Sequence, residues 1–540
     1  MPRAFFALLC LCLFCACSPA GNSRHKAVFQ LNLSAGALES LDPAYAKDLY
    51  TMWTCHMLYN TLVDCDSNLQ LQPSLAKNWE VSPDGRTYTF HLRSDVFFHD
   101  NPVFPGGKGR RMTARDVVFS FQRLTDPATA SSGAWIFNDR VDSTRPFSAP
   151  DDTTFILRLS APFAPLPVML SMPYCSIVPH EAIKRWGRAF RSKPCGTGPF
   201  QFALWEEGNT LILHRNPHYW EKDKTGKALP YLDAVQLSFI DNKATEFLLF
   251  LQGKLHFVNG LDGSFKDLVL YKNGALKPDF ARRYQLTKST YLNTEYIGFL
   301  TDSTRPLMQG SALNNKLVRQ AMNYAIDRRR IALYFRNGVG IPATGGFIPA
   351  GMPGHEDGTN FGYHYNPQKA KALLAQAGFP DGKGLPPITI STPDNWSDIV
   401  NFIATQLADA GIPCQVAIMQ PNLLRQQMSN SEVAAFRGQW IADYPDAETY
   451  LAFFYSRLPA PPNYTRFHNT IYDQWYRQSM ALPDSLRIPM YRRMDSLAMS
   501  YAPLMPLFYD QMLHFTQKNV RGFASNPMNL IDLKGVMVDE

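Results

Sequence analysis

After its first twenty positions, the 540-residue sequence has no apolar run long enough to cross a bilayer. Such a span needs about 18–20 consecutive apolar residues, so no later segment is read as a membrane helix. There is no long Lys/Arg tract, no low-complexity segment and no internal repeat. Charged residues make up only 18% of the chain, and the formal net charge of +7 is scattered. That distribution argues against nucleic acid as a partner. Cysteine is scarce beyond the leader, where only Cys55, Cys65, Cys175, Cys195 and Cys414 remain. No CxxC occurs among them and no Cys/His spacing suits zinc, so no metal is expected. An odd count leaves at least one thiol unpaired in an exported protein. Cys175 and Cys195 flank one segment, and whether they pair is left open by the sequence. The enzyme signatures GxSxG, HExxH and GxxxxGK[ST] are missing, and Gly106 to Arg110 lacks the spacing of a phosphate loop. Neither catalysis nor a cofactor is expected.

What is present is a globular balance, with 45% apolar residues. The chain is too long for one hydrophobic core, since single cores stop growing beyond about 250–300 residues. At least two lobes are therefore expected. The opening MPRAFFALLCLCLFCACSPA carries Arg3 and a short apolar run, Ala4 to Phe14, and reads as a secretory signal over residues 1–17. Ala16-Cys17-Ser18 after Leu13-Phe14-Cys15 resembles a bacterial lipobox, in which the thiol of Cys17 is acylated. Phe14 and Cys15 depart from the usual lipobox residues, and a plain Cys-rich signal peptide is the competing reading. Residues 18–25 form a flexible tether in either case.

Alternation predicts a strand over Lys26 to Ala35 and another over Arg86 to Leu92, the latter paired with Trp79 to Val81 across Ser82-Pro83-Asp84-Gly85. Thr113 with Asp116 three positions on predicts a capped helix over Val117 to Leu124. Helical spacing predicts one long helix from Asn314 to Phe335. Asn366-Pro367 opens a further helix that Gly378 closes. From Pro387 to Ile441 the pattern is strand, helix, strand, helix, strand, an α/β arrangement. Ligands of open α/β sheets bind outside the carboxyl ends of the strands. That directs attention to FRGQWIADYPDAETYL, Phe436 to Leu451, where the last strand stops.

Several motifs occur in one order. Leu41-Asp42-Pro43 precedes LYNTLV at Leu58 to Val63, then PSLAKNWEVSPDGRTYTFHLRSDVFFHD at Pro73 to Asp100 and MTARDVVFSFQRL at Met112 to Leu124. GTGPF at Gly196 to Phe200, RNPHYW at Arg215 to Trp220 and VRQAMNYAIDR at Val318 to Arg328 follow. YNPQKAKALLAQAGF at Tyr365 to Phe379, WIADYPD at Trp440 to Asp446 and MPLFYD at Met505 to Asp510 complete the series. By these motifs, from about Phe29 to Val536, the chain resembles the family 5 extracellular solute-binding proteins, the oligopeptide- and dipeptide-binding lipoproteins of bacterial ABC importers.

The resemblance implies an α/β fold of the two-lobed periplasmic-binding-protein class II type, with an additional domain inserted in lobe I. Carried over, lobe I takes residues 26–60, 180–285 and 502–540, the inserted domain 61–179, and lobe II 286–501. It also implies a periplasmic, lipid-anchored monomer that captures short peptides and passes them to an ABC permease with its ATPase subunits. A binder of another solute, such as a nickel chelate, haem or an oligosaccharide, is the alternative.

For the site, the resemblance implies that Asp443 pairs with a peptide's α-ammonium, that Arg437 takes a C-terminal carboxylate, and that Trp440 packs between them. Tyr444, Asn259 and Trp135 are further candidate contacts. Independently of any family, a ligand with two charged ends that enters a closing cleft needs an opposite charge at each end. Each candidate has a structural alternative. Asp443 or Asp446 can cap a helix, Arg437 can form an internal salt bridge, Trp440, Tyr444 and Trp135 can be core, and Asn259 can cap a turn. Period-2 alternation places Arg437 and Trp440 on opposite faces of a regular strand, unless a bulge at Gly438 intervenes. Lys47 stands where broad-specificity relatives carry an acidic contact, which puts unrestricted oligopeptide specificity in doubt and leaves a different peptide length or a modified ligand open.

Overall fold

The computed structural model describes residues 27–33, 38–357 and 361–539. The leader, Cys17 and the tether 18–25 lie outside the described residues. Strand Val28–Leu33 pairs in parallel with Ala234–Phe239, so the chain leaves this sheet and rejoins it some two hundred residues later. Antiparallel strands Thr210–Arg215 and Phe200–Glu206 complete a four-stranded sheet.

The excursion builds a second four-stranded sheet, entirely antiparallel. Its hairpin joins Ala76–Val81 to Thr87–Leu92. Gly85 at φ +68 supplies the left-handed turn residue. Tyr88, Phe90 and Leu92 alternate into the core as their spacing requires. Helix Ala114–Thr125 begins at the expected capping box, where the Thr113 amide donates to Asp116 at 2.8 Å. Both sheets share one continuous hydrophobic core, including Leu31, Trp53, Phe90, Phe121 and Phe155. Val520, Ile531 and Val536 of the C-terminal tail pack into the same core.

The second region centres on a seven-stranded mixed sheet. Strands Ile388–Thr392, Cys414–Ile418 and Ala435–Ile441 are parallel, joined by helices Ser397–Asp409 and Pro421–Asn430. Beside them run two long antiparallel strands, Tyr284–Phe299 and Leu504–Gln517, paired from Tyr284 opposite Gln517 to Gly298 opposite Leu504. Their register breaks between Thr290 and Thr294 and again at Glu295/Tyr296. One half of this ribbon packs with Phe247, Phe250 and Val258, which lie on elements leading out of the first sheet. The other half is sandwiched between two further apolar clusters, one with Ile297, Met322 and Leu407, the other with Tyr296, Phe347 and Tyr450. All five described cysteines are free thiols, so Cys175 and Cys195 are unpaired. No helix among the described residues is long and apolar enough to cross a membrane.

The single helix expected over Asn314 to Phe335 is two, Lys316–Ala325 and Arg328–Arg336. Ile326 leaves helical geometry at ψ 120, and the Asp327 side chain caps the second helix by accepting from the amides of Arg329 and Arg330. Apolar spacing continues across the break, which is why periodicity alone does not reveal it. The break frees backbone carbonyls in a buried place, and buried Arg328 satisfies them. Its guanidinium donates to the carbonyls of Asn323 at 3.0 Å, Ile326 at 3.4 Å, Tyr363 at 3.3 Å and Pro506 at 2.6 Å. Arg328→Ala leaves these acceptors unpaired and is expected to cost about 3 kcal/mol. A thermal melt should show a clear fall in midpoint, and an unchanged midpoint would refute this role.

Candidate functional site

Strand Ala435–Ile441 is held against Tyr284–Phe299 in regular register, from Ala435 opposite Phe299 to Ile441 opposite Asn293. One more backbone bond, Ala442 N–H to the Leu292 carbonyl at 2.9 Å, ends the pairing. The chain then turns. Asp446 accepts from the Glu448 amide at 2.9 Å and opens the short helix Glu448–Leu451. Asp446 is buried and ion-paired with Arg487 at 2.9 Å, so it is structural.

Asp443 differs from its neighbours. Ala442 and every residue from Tyr444 to Tyr450 are buried, whereas Asp443 is exposed. Its only hydrogen bond among the described residues is a long one, from the Thr449 hydroxyl at 3.4 Å. No basic side chain of the described residues forms an ion pair with it. Surrounding protein raises its carboxyl above the ordinary value, and the Thr449 hydroxyl opposes that shift. Asp443 is thus reached by solvent while neighbouring protein still desolvates it in part. Tyr174, from the first region, lies within electrostatic reach of both Asp443 and Asp48.

Tyr444 points the other way. It is buried in the core of the first region, with the half-buried Trp135 ring 5.9 Å away at 30°. Its hydroxyl donates to Glu448, which also accepts from Tyr476. Tyr444 and Trp135 therefore join the two regions beside Asp443. The Trp440 indole donates to the Thr449 carbonyl at 2.9 Å and packs edge-on to Phe453 at 5.6 Å. It supports the Asp443 turn from the partly buried edge of a core cluster.

Arg437 forms the internal salt bridge that was its structural alternative, through Nη2, while its buried Nε has no hydrogen-bond partner among the described residues. It pairs with Glu295 at 2.5 Å, bonds Gln439 at 3.0 Å and lies 3.6 Å above the Trp396 ring. Side-chain exposures of 10% for Arg437 and 3% for Glu295 mark this as a buried pair. No bulge occurs at Gly438, so Arg437 and Trp440 do face opposite sides of the sheet. Gly438 serves packing instead, since a Cβ there would stand 2.5 Å from the Tyr296 ring. The network continues through the Asn293 amide, which donates to Glu295 at 3.0 Å and Asp510 at 3.3 Å. Asp510 in turn pairs with Arg336 at 2.6 Å. Burial pushes the Glu295 carboxyl up to about 7, against the pull of Arg437 and with a further push from Asp510.

Asn259 stands apart. It pairs with His514, which faces Thr287, whereas Trp440 faces Thr294. Those positions are seven residues apart on Tyr284–Phe299 but only five on Leu504–Gln517, where Thr294 faces Tyr509, so they lie roughly 17 Å apart along the ribbon. The structure thus brings together Asp443, Tyr444, Trp135 and Trp440, and separates Asn259 from them. Thr449, Tyr174, Glu295 and Trp396 belong to the surroundings of these residues but were not singled out by sequence. Thr449 alone had a local signal, six positions after Asp443 on a helix start.

Residues 70–460 match the family described as bacterial extracellular solute-binding proteins, family 5. Heme-binding protein A of Haemophilus influenzae is 27% identical over 506 residues, covering 89% of this chain and 87% of that protein. The dipeptide-binding protein of Escherichia coli is 25% identical over 536 residues, covering 94% of each. Among solved structures, HbpA2 from Haemophilus parasuis superposes with a TM-score of 0.82 at 24% identity, over 95% of this chain and 100% of that one. The periplasmic binding protein DppA from Helicobacter pylori, in complex with the peptide STSA, gives 0.72 at 25% identity, over 95% and 99%.

The Glu295 shift has a testable sign. The folded protein keeps the Glu295 proton up to about 7, whereas an unfolded chain releases it near about 4.3. Between those values the folded state binds more protons, so stability falls as pH rises through this window. Glu295→Gln cannot ionise. Its thermal midpoint should drop less than the parent's between about pH 5 and about pH 7. Equal drops would show that Glu295 ionises in the fold as it does in the unfolded chain.

Proposed function

The chain belongs to the family 5 bacterial extracellular solute-binding proteins, and from that premise we propose that it captures short peptides for an ABC importer. The observation that carries this reading is Asp443, a solvent-reached, partly desolvated carboxylate with no basic partner among the described residues. It lies beyond the carboxyl end of a strand in a largely α/β sheet, where such folds take their ligands. A peptide's α-ammonium supplies the missing charge. Trp440 and Thr449 hold the turn that presents the carboxylate, and Tyr444 with Trp135 marks where the two regions meet.

The mechanism is capture without turnover. Ligand contacts to both lobes stabilise a closed form by differential affinity, and that form docks on an inner-membrane permease with its ATPase subunits. Lobe I comprises residues 26–60, 180–285 and 502–540, the inserted domain 61–179 and lobe II 286–501. The protein works as a periplasmic monomer held to the membrane by acyl chains on Cys17. Peptide backbone groups bond in strand fashion and side chains sit in wet pockets, so binding tolerates sequence.

One observation favours a second reading. Heme-binding protein A is among the relatives covering most of the chain, which makes haem the rival solute. Titration with haemin should give no saturable shift of the Soret band, and a stoichiometric shift would favour that rival. For the peptide reading, Asp443→Ala should weaken peptide binding by at least about 1.5 kcal/mol in calorimetry, because a charge-assisted hydrogen bond is lost. An unchanged affinity would remove Asp443 from the site. Mass spectrometry of material that copurifies should find short peptides, and finding only metal chelates or sugars would overturn the reading.

A further inference from the structure

Each region buries one side chain in the other. Tyr444, from the second region, sits in the core of the first, beside Asp443. Leu69, from the first region, is only 5% exposed and belongs to the cluster of Tyr296, Phe347 and Tyr491 in the second.

Leu69 stands at the tip of the hairpin formed by Val63–Cys65 and Leu71–Pro73. Around it Ser67, Asn68 and Gln70 are exposed. The tip is closed by its own bonds. The Asp66 side chain accepts from the amides of Asn68 and Gln70, both at 2.9 Å, and the Asp66 carbonyl accepts from the Leu69 amide at 3.0 Å. These bonds shape the tip without help from the second region. Leu69 adopts φ +61, a left-handed conformation that a bulky side chain rarely takes. Such a conformation persists where surrounding contacts over-determine it. Burial of the leucine in the second region supplies those contacts.

A second tie runs beside the first. The Ala164 amide of the first region donates to the Met480 carbonyl of the second at 2.8 Å. Met480 precedes helix Asp484–Tyr501, whose Ile488 and Tyr491 line a cavity of about 470 Å³ together with Leu69, Trp79 and Val168. The interior of one domain leaves few voids larger than a water molecule. One anchored side chain and one backbone bond beside unfilled space make a contact that can part and re-form.

Resting on the closing motion proposed above, but not on the identity of the solute, we propose that Leu69 is a hook that holds the two regions together when no solute is bound. It is a positioning residue. A solute enters while the regions are apart, so the hook sets how often the site opens. On parting, Leu69 passes from an apolar cluster into water and the Ala164 amide loses its acceptor.

Amide hydrogen exchange on the solute-free protein, resolved to single residues, tests this. The Ala164 amide reports the contact between the regions. The Leu92 amide, bonded to the Thr153 carbonyl at 2.7 Å, reports the first region, and the Leu300 amide, bonded to the Ala434 carbonyl at 2.9 Å, reports the second. In the parent, Ala164 should exchange at least about tenfold faster than either, because parting leaves both folds intact. In Leu69→Ala, Ala164 should gain at least about a further tenfold, as expected when most of a buried leucine is lost. Leu92 and Leu300 should not change. Leu69→Met keeps an apolar side chain of similar volume and should bring Ala164 back to within about threefold of the parent. An unmoved Ala164 in Leu69→Ala overturns the hook and leaves the closing motion standing. Equal acceleration of all three amides makes Leu69 ordinary core and also overturns the hook. If Ala164 in the parent is as slow as Leu92 and Leu300, the regions do not part, and the closing motion and the hook fall together.

Discussion

Two strands, Tyr284–Phe299 and Leu504–Gln517, run antiparallel through both halves of the molecule. Their pairing is the constraint from which the site follows. One end of the ribbon is packed among residues of the first region and the other lies inside the second. The free edge of Tyr284–Phe299 pairs with Ala435–Ile441, and that register decides where the strand stops and Asp443 begins. The ribbon's register breaks at Thr290/Thr294, beside the buried Arg437–Glu295 pair and the Asn293 link to Asp510. Polar groups replace continuous ladder bonds where the ribbon passes from one core to the next. Buried ionic groups cost desolvation energy, so geometry and mutual satisfaction must hold them there.

The charges near the opening divide into committed and uncommitted groups. Arg437, Glu295, Asp446, Arg487, Asp42 and Arg123 all have close partners within the chain. Asp443, beside the strand end, has only the long bond from Thr449. Membership of a solute-binding family gives this pattern a use, because a solute is the partner that the chain does not itself provide.

Much of the fold was legible because its signals are local. Alternation over Thr87–Leu92, the Thr113/Asp116 capping box, Asn366-Pro367 and the strand–helix–strand run from Ile388 to Ile441 each depend on residues within a few positions. The helix break at Ile326 depends on Arg328 reaching carbonyls as distant as Pro506, and no periodicity reports that. The site divides the same way. The position of Asp443 past a strand end could be read directly, and alternation warned that Arg437 and Trp440 face apart. The capture of Arg437 by Glu295 could not be read, because 142 positions separate the two. Asn259 shares the sheet with the other candidates, yet strand length keeps it distant.

The first region's core is completed by Val520, Ile531 and Val536, and the Trp53 indole donates to the Asn529 carbonyl at 2.6 Å. A ribosome delivers residue 53 long before residue 529. The core of the first region therefore lacks its tail residues until translation has almost finished. A delay of this kind keeps the molecule threadable, and it makes the last few dozen codons the step that commits the whole to its final shape.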